Sequence, residues 1–498
     1  MAKKLASILL CILFISVLLF GCVKPDNPPS QSTDSATTAG EALTTEGRLY
    51  PNLPDDTFNG YDYRLYVSDV FNYRTWEDLF VEESGSEPIS EAVYYRNQMV
   101  EEKYKISLSM EVEQYLQYET NIVKNVGSND DFADLFVSLG DDICRLYTQN
   151  VFYNLRSIPH LDFSMPWWDE KAADSFTLGG YMPFGISDLT VNDKGVTGII
   201  YFNKKLAADL NLGDLYQLVK DDEWSFAKMV ELGKKAILDV NEIGTADLED
   251  RYGILGDDGM VYQFFAAGDA KYIVKDKDDM PEIAFNTEKN ITMIQYYLED
   301  ILFDEQLTFN SSGSADGWAS DTLFANDQGL FLMRPINTTE KLRATMESEF
   351  GILPLPKYSD DQKNYCSPVQ CYGGSVISVP LNAEDTSRTG IILEALSAES
   401  RYTVIPAFYD IVLKNKNTRD EQSKEMLDII LDTRIYDVGV FYDFAHFPND
   451  LIMVTGKQES YSGISQTSDI VSFYRQRENK LKNALEDLTE TIEEWKTK

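Results

Sequence analysis

The first part of the chain alternates between strand and helix patterns. Residues 61–68 alternate apolar and polar side chains, which predicts a strand, whereas the apolar residues of 88–104 recur at helical spacing. Residues 106–112 alternate again, residues 115–126 have a helical pattern, and residues 133–139 form an apolar run typical of a buried strand. Elements in this order and of these lengths indicate a parallel α/β unit.

The alternation continues well beyond the length of one domain. Further strands are predicted at residues 196–203, 252–258, 329–333, 350–355 and 373–379, further helices at 204–210, 224–238, 260–267, 287–305, 318–325, 338–346 and 468–495, and a surface hairpin at 271–282. Long connections fall near residues 156–195 and 357–372. Such connections usually carry function or cross between domains. The pattern therefore predicts two α/β lobes, joined by more than one crossover, with a cleft between them.

The first 22 residues have the order of a secretion signal. Two lysines precede an apolar run over residues 5–20, and Gly21 and Cys22 follow it. The run is short for a bilayer core of about 30 Å, and no basic cluster follows it. Residues 19–22 (LFGC) resemble the lipobox of bacterial lipoproteins, which implies cleavage before Cys22 and attachment of diacylglycerol to its sulfur. Secretion with cleavage near Gly21 and an uncleaved N-terminal anchor are the alternatives.

Residues 23–54 are rich in Ser, Thr, Asp, Pro and Ala and predict a flexible spacer. A random coil of about 30 residues reaches roughly 30 Å. Two acyl chains on Cys22 would suffice for stable anchoring. We therefore expect a folded part that is tethered at the extracellular face of the cell membrane.

The charge balance excludes one class of partner. The 498 residues include 44 Lys and Arg against 82 Asp and Glu, a net charge of −38. Such a surface repels phosphate backbones, so we expect no nucleic-acid partner. It also repels anionic lipid head groups, so the lipid tether and not electrostatics would hold the protein at the membrane. The hydrophobic content of 43% is sufficient for real cores.

The cysteines and histidines limit metal and redox chemistry. Cys366 and Cys371 are close enough in sequence for a disulfide in an oxidising compartment, with two free buried thiols as the alternative. Cys144 is interpreted as a small buried residue. His160 and His446 are the two histidines, and neither has metal-ligand spacing from a cysteine. We expect neither a metal nor a cofactor.

Five motifs, taken in order, resemble one protein family. They are YFNKKLA at residues 201–207, LYQLV with EWS at 215–225, FANDQGLF at 324–331, FGILPLPK at 350–357 and GGSVISVP at 373–380. Together, and behind a lipobox, they resemble extracellular solute-binding proteins (family 1) of the carbohydrate ABC-transporter type, nearest the large acidic lipoproteins of Gram-positive bacteria. The resemblance covers roughly residues 60–450.

The resemblance implies an α/β, periplasmic-binding-protein-like fold with two lobes. Each lobe would be a mixed sheet flanked by helices, and a hinge of several segments would join them. The implied protein is no enzyme: it captures a sugar or oligosaccharide between the lobes and delivers it to the permease subunits of an ABC importer. We expect a monomer. The implied division is signal peptide 1–21, lipidated cysteine and linker 22–56, first lobe 57–185 with about 373–405, and second lobe about 186–372 with about 406–498.

Carboxylates and aromatic rings are the first candidates for the ligand site, because sugars bind through hydroxyl hydrogen bonds and ring stacking. Asp69 and Asp141 follow strands of the first lobe and could bind hydroxyls, with helix N-capping as the alternative for each of them. Asp188 lies in the first long connection, where it could reach the ligand or be a solvated turn acid. The aromatic candidates, each with core packing as its alternative, are Trp76, Trp167, Trp168, Trp318 and Tyr442.

Trp167 and Trp168 are adjacent in a predicted loop, and two neighbouring indoles in a loop cannot both easily point inward. We expect one of them to line the cleft. Arg334 follows a predicted strand at a position where the family often has a ligand-facing residue, with a buried salt bridge as its alternative. Tyr372 and Gly373 lie in the return crossover, where glycine lets backbone amides approach a ligand.

Other functions are alternatives to sugar transport. The same fold could bind a peptide or another solute, or serve a sensor or an adhesion role. A carbohydrate-active enzyme is a further alternative, but the adjacent Asp141 and Asp142 cannot flank a scissile bond at the ~5–9 Å that glycosidases require. The sequence contains no nucleophile elbow or P-loop motif.

Overall fold

The computed structural model describes residues 47–69, 77–312, 317–413, 421–455 and 467–495. Within these ranges the strands are β1 (Tyr61–Asp69), β2 (Ile106–Gln114), β3 (Leu135–Leu139), β4 (Gly198–Asn203), β5 (Tyr252–Gly256), β6 (Ile273–Lys275), β7 (Pro281–Ile283), β8 (Thr308–Asn310), β9 (Gly329–Pro335), β10 (Phe350–Leu353), β11 (Ser367–Pro368), β12 (Ser375–Ser378) and β13 (Arg434–Ile435).

The α-helices of the same ranges are α1 (Pro88–Tyr104), α2 (Tyr115–Gly127), α3 (Gly140–Leu146), α4 (Glu170–Phe176), α5 (Asn192–Gly195), α6 (Lys204–Asp209), α7 (Leu215–Lys220), α8 (Phe226–Lys234), α9 (Met260–Ala267), α10 (Glu288–Tyr296), α11 (Ala319–Ala325), α12 (Thr338–Thr345), α13 (Thr386–Tyr402), α14 (Val404–Leu413), α15 (Glu421–Asp432), α16 (Val438–Phe441), α17 (Phe447–Thr455) and α18 (Ile470–Trp495). Short 3₁₀ segments are Tyr147–Gln149, Leu155–Ser157 and Phe444–His446, and Tyr297–Leu302 is π-helical.

Four strands form the first sheet, in the order β12–β3–β1–β2. β1 runs parallel to both of its neighbours, with Val67 opposite Val112 of β2 and Val137 of β3. β12 is antiparallel to β3, so a distant part of the chain returns to this sheet as an edge strand. β3 is buried over its whole length, as expected for a strand covered on both faces.

Five strands form the second sheet, in the order β10–β4–β9–β5–β8. β5 is parallel to β9 and β8, whereas β4 is antiparallel to β9 and β10. β4 and β5 are buried throughout. Two mixed sheets flanked by helices confirm the predicted fold class. The first sheet draws on residues 61–139 and 375–378 and the second on residues 198–353, while the lobe boundaries themselves stay a prediction.

Side-chain caps determine where several helices begin. The Asn203 Oδ1 accepts from the Leu206 amide at 2.9 Å at the start of α6, and the Ser225 Oγ accepts from the Lys228 amide at 3.2 Å at the start of α8. These bonds satisfy amides that the first helical turn leaves unpaired. The helix predicted at 224–238 therefore begins after Ser225, and it ends at Lys234.

Local elements differ from the predictions in some places and agree with them in others. The helix predicted at residues 287–305 is α-helical only to Tyr296 and continues as a π-helical turn. Strand β8 and helix α5 have no counterpart in the prediction, because elements of three or four residues are too short to show a period. The surface hairpin predicted at 271–282 is confirmed as the antiparallel pair β6–β7.

Two chain segments run side by side between the sheets. Gly185 bridges Ile377, and Thr197 bridges Val369, both in antiparallel orientation. The chain therefore crosses from the first sheet to the second near residues 185–197 and returns near 369–375. This agrees with the pattern of more than one crossover predicted from the long connections.

The predicted signal peptide, Cys22 and most of the predicted spacer lie outside the described residues, and so does Trp76. Among the helices that the structure describes, none has the length and apolar character needed to cross a bilayer.

Candidate functional site

A cavity of about 850 Å³ lies where strands of both sheets end. Asp141 follows β3, Asp257 follows β5, and Arg334 stands near the end of β9. The returning crossover closes the cavity through Tyr372 and Gly373. In open α/β sheets, ligands bind outside the carboxyl ends of the strands, so this cavity is the candidate site.

Two aromatic side chains in the cavity are unusually exposed for their size. Trp318 is 58% exposed and Tyr372 is 40% exposed, and both line the cavity. The Lys341 Nζ lies 4.6 Å and the Arg334 Cζ 5.8 Å from the centroid of the Trp318 ring. Cations at this distance are attracted to the indole face. The arrangement holds Trp318 in place and leaves much of its surface accessible to a ligand.

Arg334 forms a buried ionic network beneath this ring. Its side chain is 3% exposed, its Nε donates to the Asp321 Oδ1 at 2.7 Å, and its Nη1 donates to Asp257. The Lys341 Nζ donates to the other Asp321 oxygen at 2.9 Å. Burial alone lowers the pKa of the Arg334 guanidinium, but the two carboxylates raise it, and the net shift is upward. The guanidinium is thus a charged structural centre of the cavity wall.

The turn after β5 supplies a second carboxylate. The Asp258 Oδ1 accepts from the Asn310 Nδ2 at 2.7 Å, and the Asp258 amide donates to the Ser312 Oγ at 2.9 Å. These bonds tie the end of β5 to the end of its neighbour β8. Asp257 and Asp258 are therefore positioned by the sheet itself.

Asp141 and Asp443 contribute carboxylates on other walls of the cavity. Asp141 accepts from Arg145 at 3.1 Å, and Asp443 pairs with His446. Burial raises the pKa of Asp443 to about 6, with His446 lowering it and the Asp141 charge raising it further. Asp142, next to Asp141, points inward instead, and burial raises its pKa to about 7.

The returning crossover approaches the first sheet closely. The Gly140 amide donates to the Gly374 carbonyl at 3.0 Å, and the Asn192 Nδ2 donates to the Gly373 carbonyl. A Cβ at Gly374 would lie 2.8 Å from the Gln370 carbonyl oxygen, which explains glycine at this position. The predicted place of Gly373 beside the cavity thus follows from backbone packing.

The structure brings five of the predicted ligand residues together in the cavity: Asp141, Trp318, Arg334, Tyr372 and Gly373. It places the others elsewhere. Asp69 ends β1 and is not among the cavity residues. Asp188 is 4% exposed and pairs with Lys194 at 3.1 Å and Arg401 at 3.2 Å, so it is neither a ligand group of this cavity nor a solvated turn acid.

The adjacent indoles require a correction, because both lie in the core. Trp167 is 0% and Trp168 5% exposed, and their Nε1 atoms donate to the two carboxylate oxygens of Glu394 at 2.9 and 2.8 Å. One buried carboxylate thus satisfies both indoles. Tyr442 is also a core residue, at 1% exposed, with its hydroxyl donating to the Phe176 carbonyl at 2.9 Å.

Several cavity residues were missed by the sequence reasoning. Asp257 and Asp258 follow β5 in the structure, as Asp141 follows β3, but the strand predicted at 252–258 included them, so the rule of strand ends was not applied to them. Asp443 neighbours the named Tyr442. Gln263 is the one polar side chain apart from a tyrosine in the otherwise apolar, fully buried helix α9, and that isolation was an available signal.

A second cavity of about 630 Å³ lies elsewhere, around residues 359–366 and 432–435. Three lysines (Lys171, Lys289 and Lys363) and three aspartates line it, so its charges balance, and it does not lie at the strand ends. Cys366 lines this cavity and Cys371 lines the first one, and both are buried free thiols, the second of the two predicted alternatives. Across the described ranges, no group of His, Cys, Asp and Glu is arranged to hold a metal ion.

No family model matches the sequence, and no curated protein matches it either. Solved structures do resemble the fold. A cyclic α-maltosyl-1,6-maltose binding protein from Arthrobacter globiformis aligns with a TM-score of 0.58 at 11% identity, covering 86% of this chain and 100% of the other.

Two further structures agree. An ABC substrate-binding protein from Listeria monocytogenes in complex with cycloalternan has a TM-score of 0.52 at 13% identity, over 87% of this chain and 99% of the other. A cyclo/maltodextrin-binding protein complexed with maltotetraose has a TM-score of 0.54 at 13% identity, over 87% of this chain and 96% of the other. The chain therefore has the two-lobed α/β fold of carbohydrate-binding proteins of ABC transporters.

Proposed function

We propose that this protein is a tethered extracellular solute-binding protein. It captures a carbohydrate, an oligosaccharide in particular, in the 850 Å³ cavity and delivers it to the permease of an ABC importer. The exposed Trp318 indole, which lies among carboxylates at the strand ends, is the observation that carries this proposal. An aromatic face next to hydrogen-bonding groups suits the apolar face and the hydroxyls of a sugar ring.

The structural neighbours support the ligand class. They are named for, or complexed with, cyclic and linear glucose oligosaccharides: maltotetraose, cycloalternan and cyclic maltosyl-maltose. The neighbours are also binding proteins and not enzymes, which supports a non-catalytic role. The cavity volume of about 850 Å³ is large enough for several sugar rings.

The cavity walls come from both sheets and from the crossover between them. A ligand that contacts Asp141 on one side and Trp318 on the other would hold the two sides together. It would therefore favour a closed arrangement by its differential affinity for that arrangement. Such closure is the step that a membrane permease could recognise.

The membrane attachment rests on the sequence alone. The apolar run of residues 5–20, followed by LFGC at 19–22, supports cleavage before Cys22 and its lipidation. Mass spectrometry of the membrane-extracted protein tests this part. The expected result is an N-terminal peptide that begins at a diacylglycerol-modified Cys22; an intact N-terminus would contradict it.

A thermal-shift screen of the full chain tests the ligand class. The panel contains malto-, cello- and galacto-oligosaccharides, amino acids and short peptides. A ligand raises the unfolding midpoint by mass action, so we expect a shift with at least one oligosaccharide class. The Trp318→Ala variant should lose most of the shift. A shift with peptides alone would overturn the carbohydrate assignment.

A further inference from the structure

The charges around the cavity point to a restriction on its ligand. We propose that the cavity admits uncharged or cationic glycans and excludes glycans that carry carboxylate, sulfate or phosphate groups. The inference rests on the proposed function and narrows it, because it names the charge class of the carbohydrate.

The first observation is that the cavity walls carry negative charge on several sides. Asp257 and Asp258 follow β5, Asp141 follows β3, and Asp443 lies just after α16. Arg334 is the only basic residue among the described residues that line the cavity. An anionic ligand would therefore face one guanidinium and four carboxylates, which come from three segments of the chain.

The second observation is that each nitrogen of this guanidinium already has a partner within the protein. All three of its nitrogens donate within the protein: Nε to Asp321 at 2.7 Å, Nη1 to Asp257, and Nη2 to the Ser311 Oγ at 3.4 Å. A carboxylate ligand needs paired N–H donors from arginine. Nε and Nη1 of Arg334 are held in ion pairs with Asp321 and Asp257, so a ligand carboxylate that approaches the guanidinium also meets the negative charge of these two residues.

The cations next to the cavity are engaged in the same way. The Lys341 Nζ donates to Asp321 at 2.9 Å while it lies over the Trp318 ring. Arg145 donates to Asp141 at 3.1 Å and to Glu119 at 2.5 Å. Both cations thus neutralise acids of the protein itself.

The third observation is independent of charge. Gln263 is 2% exposed and lines the cavity, and its Oε1 has no hydrogen-bond partner. A Cβ at Gly198 would lie 2.6 Å from this oxygen, so the glycine makes room for the amide. Buried amides normally find a partner. A neutral amide left unsatisfied in the wall fits a ligand hydroxyl, which can donate to Oε1.

These observations together describe a site for hydroxyl groups. Aspartates and Gln263 accept from hydroxyls, and Trp318 and Tyr372 offer ring faces. Like charges that meet in a partly desolvated cavity repel more strongly than they do in water. Specificity of this kind depends on repulsion of the wrong ligand as much as on attraction of the right one.

Calorimetric titration of the full chain with matched glycans tests the inference. The probes are neutral gluco- and galacto-oligosaccharides and, at equal length, oligoglucuronates and oligogalacturonates. We expect the uronates to bind at least tenfold more weakly than their neutral counterparts. The Asp257→Asn variant removes one negative charge and releases the Arg334 Nη1. It should therefore reduce the ratio of the uronate Kd to the neutral-glycan Kd several-fold. Asp443→Asn, which leaves Arg334 untouched, should narrow it as well.

Asp209→Asn is the matched control, because it removes the same charge from an exposed position on α6 outside the cavity. In this control, the ratio of the uronate Kd to the neutral-glycan Kd should equal that of the unmodified chain. Uronates that bind as tightly as neutral glycans would overturn the charge restriction and leave glycan binding intact. If no glycan of either class binds, the proposed function falls, and the restriction falls with it.

Discussion

The Lys341 ammonium lies 4.6 Å from the centroid of the Trp318 ring and donates at 2.9 Å to Asp321. The same carboxylate accepts from Arg334 at 2.7 Å. A single buried aspartate thus positions both cations that lie over one exposed indole. The position of the Trp318 ring in the cavity therefore depends on an ionic network that the ligand does not need to contact.

Trp318→Ala should weaken binding of the cognate glycan by roughly tenfold or more, because the variant loses about 1 kcal/mol of ring stacking and also the apolar contact area, and about 1.4 kcal/mol corresponds to a factor of ten. The ring is 58% exposed, so the free energy of unfolding should change little. Titration calorimetry and urea unfolding measure the two effects separately. Trp318→Phe retains a ring and serves as the control. Equal affinity in the Ala and unmodified proteins would remove Trp318 from the site.

Arg334→Met should destabilise the fold by about 3 kcal/mol or more, because it leaves a carboxylate, Asp321, buried without its closest partner. Urea unfolding measures the change. Lys205→Met is the control: it breaks the exposed pair with Asp327 at 2.7 Å, which should cost less than about 1 kcal/mol. Similar losses in the two variants would show that the Arg334 network is not structural.

The fold was largely predictable from local patterns. β1, β3 and β4 show alternation or apolar runs in the sequence, and these patterns agree with the structure, in which β1 is largely buried and β3 and β4 are buried along their whole length. β8 was missed because its three residues are too short to show a period. The arrangement of strands in two sheets followed from the family resemblance more than from any single element.

The site was predictable in part, from strand ends, from the exposed Trp318 and from the crossover residues Tyr372 and Gly373. Asp141 was found by the rule of strand ends, and Asp257 obeys it too. The indoles Trp167 and Trp168 were misplaced because their partner Glu394 stands more than 220 residues away in sequence, so no local pattern shows that one carboxylate can satisfy both. Contacts of that range are decided by packing.

Glu394→Leu should destabilise the protein by about 2–4 kcal/mol, because it leaves the indole N–H groups of Trp167 and Trp168 buried without an acceptor. Glu394→Gln keeps an acceptor oxygen and should cost less. Urea unfolding of both variants measures the difference. Glycan affinity of the folded protein should be unchanged, since these residues lie outside the cavity, and a loss of affinity in Glu394→Gln would contradict that placement.

The unfolding free energy should be higher at pH 5 than at pH 8. Burial raises the pKa of Asp78, Asp142 and Glu394 to about 7 in the folded protein, against ordinary values near 4. Between these values the folded state holds more protons than the unfolded state, so stability falls as the pH rises, and it levels off above the folded pKa. The pKa of Asp169 is lowered in the folded protein, so this group makes stability fall as the pH decreases, but only at pH values below about 4, the ordinary pKa of an aspartate.

Urea unfolding at the two pH values measures this difference, which we expect to be at least about 2 kcal/mol. The net charge of −38 also makes the folded protein less stable at pH 8 than at pH 5, because repulsion among the carboxylates grows as they ionise. Glu394→Gln removes one titrating group without changing the packing volume and should make the difference smaller. A protein that is more stable at pH 8 than at pH 5 would contradict the prediction, because it would show that these three carboxyl groups ionise without a burial penalty. The ionised Glu394 would then stabilise the fold through its hydrogen bonds with the two indoles.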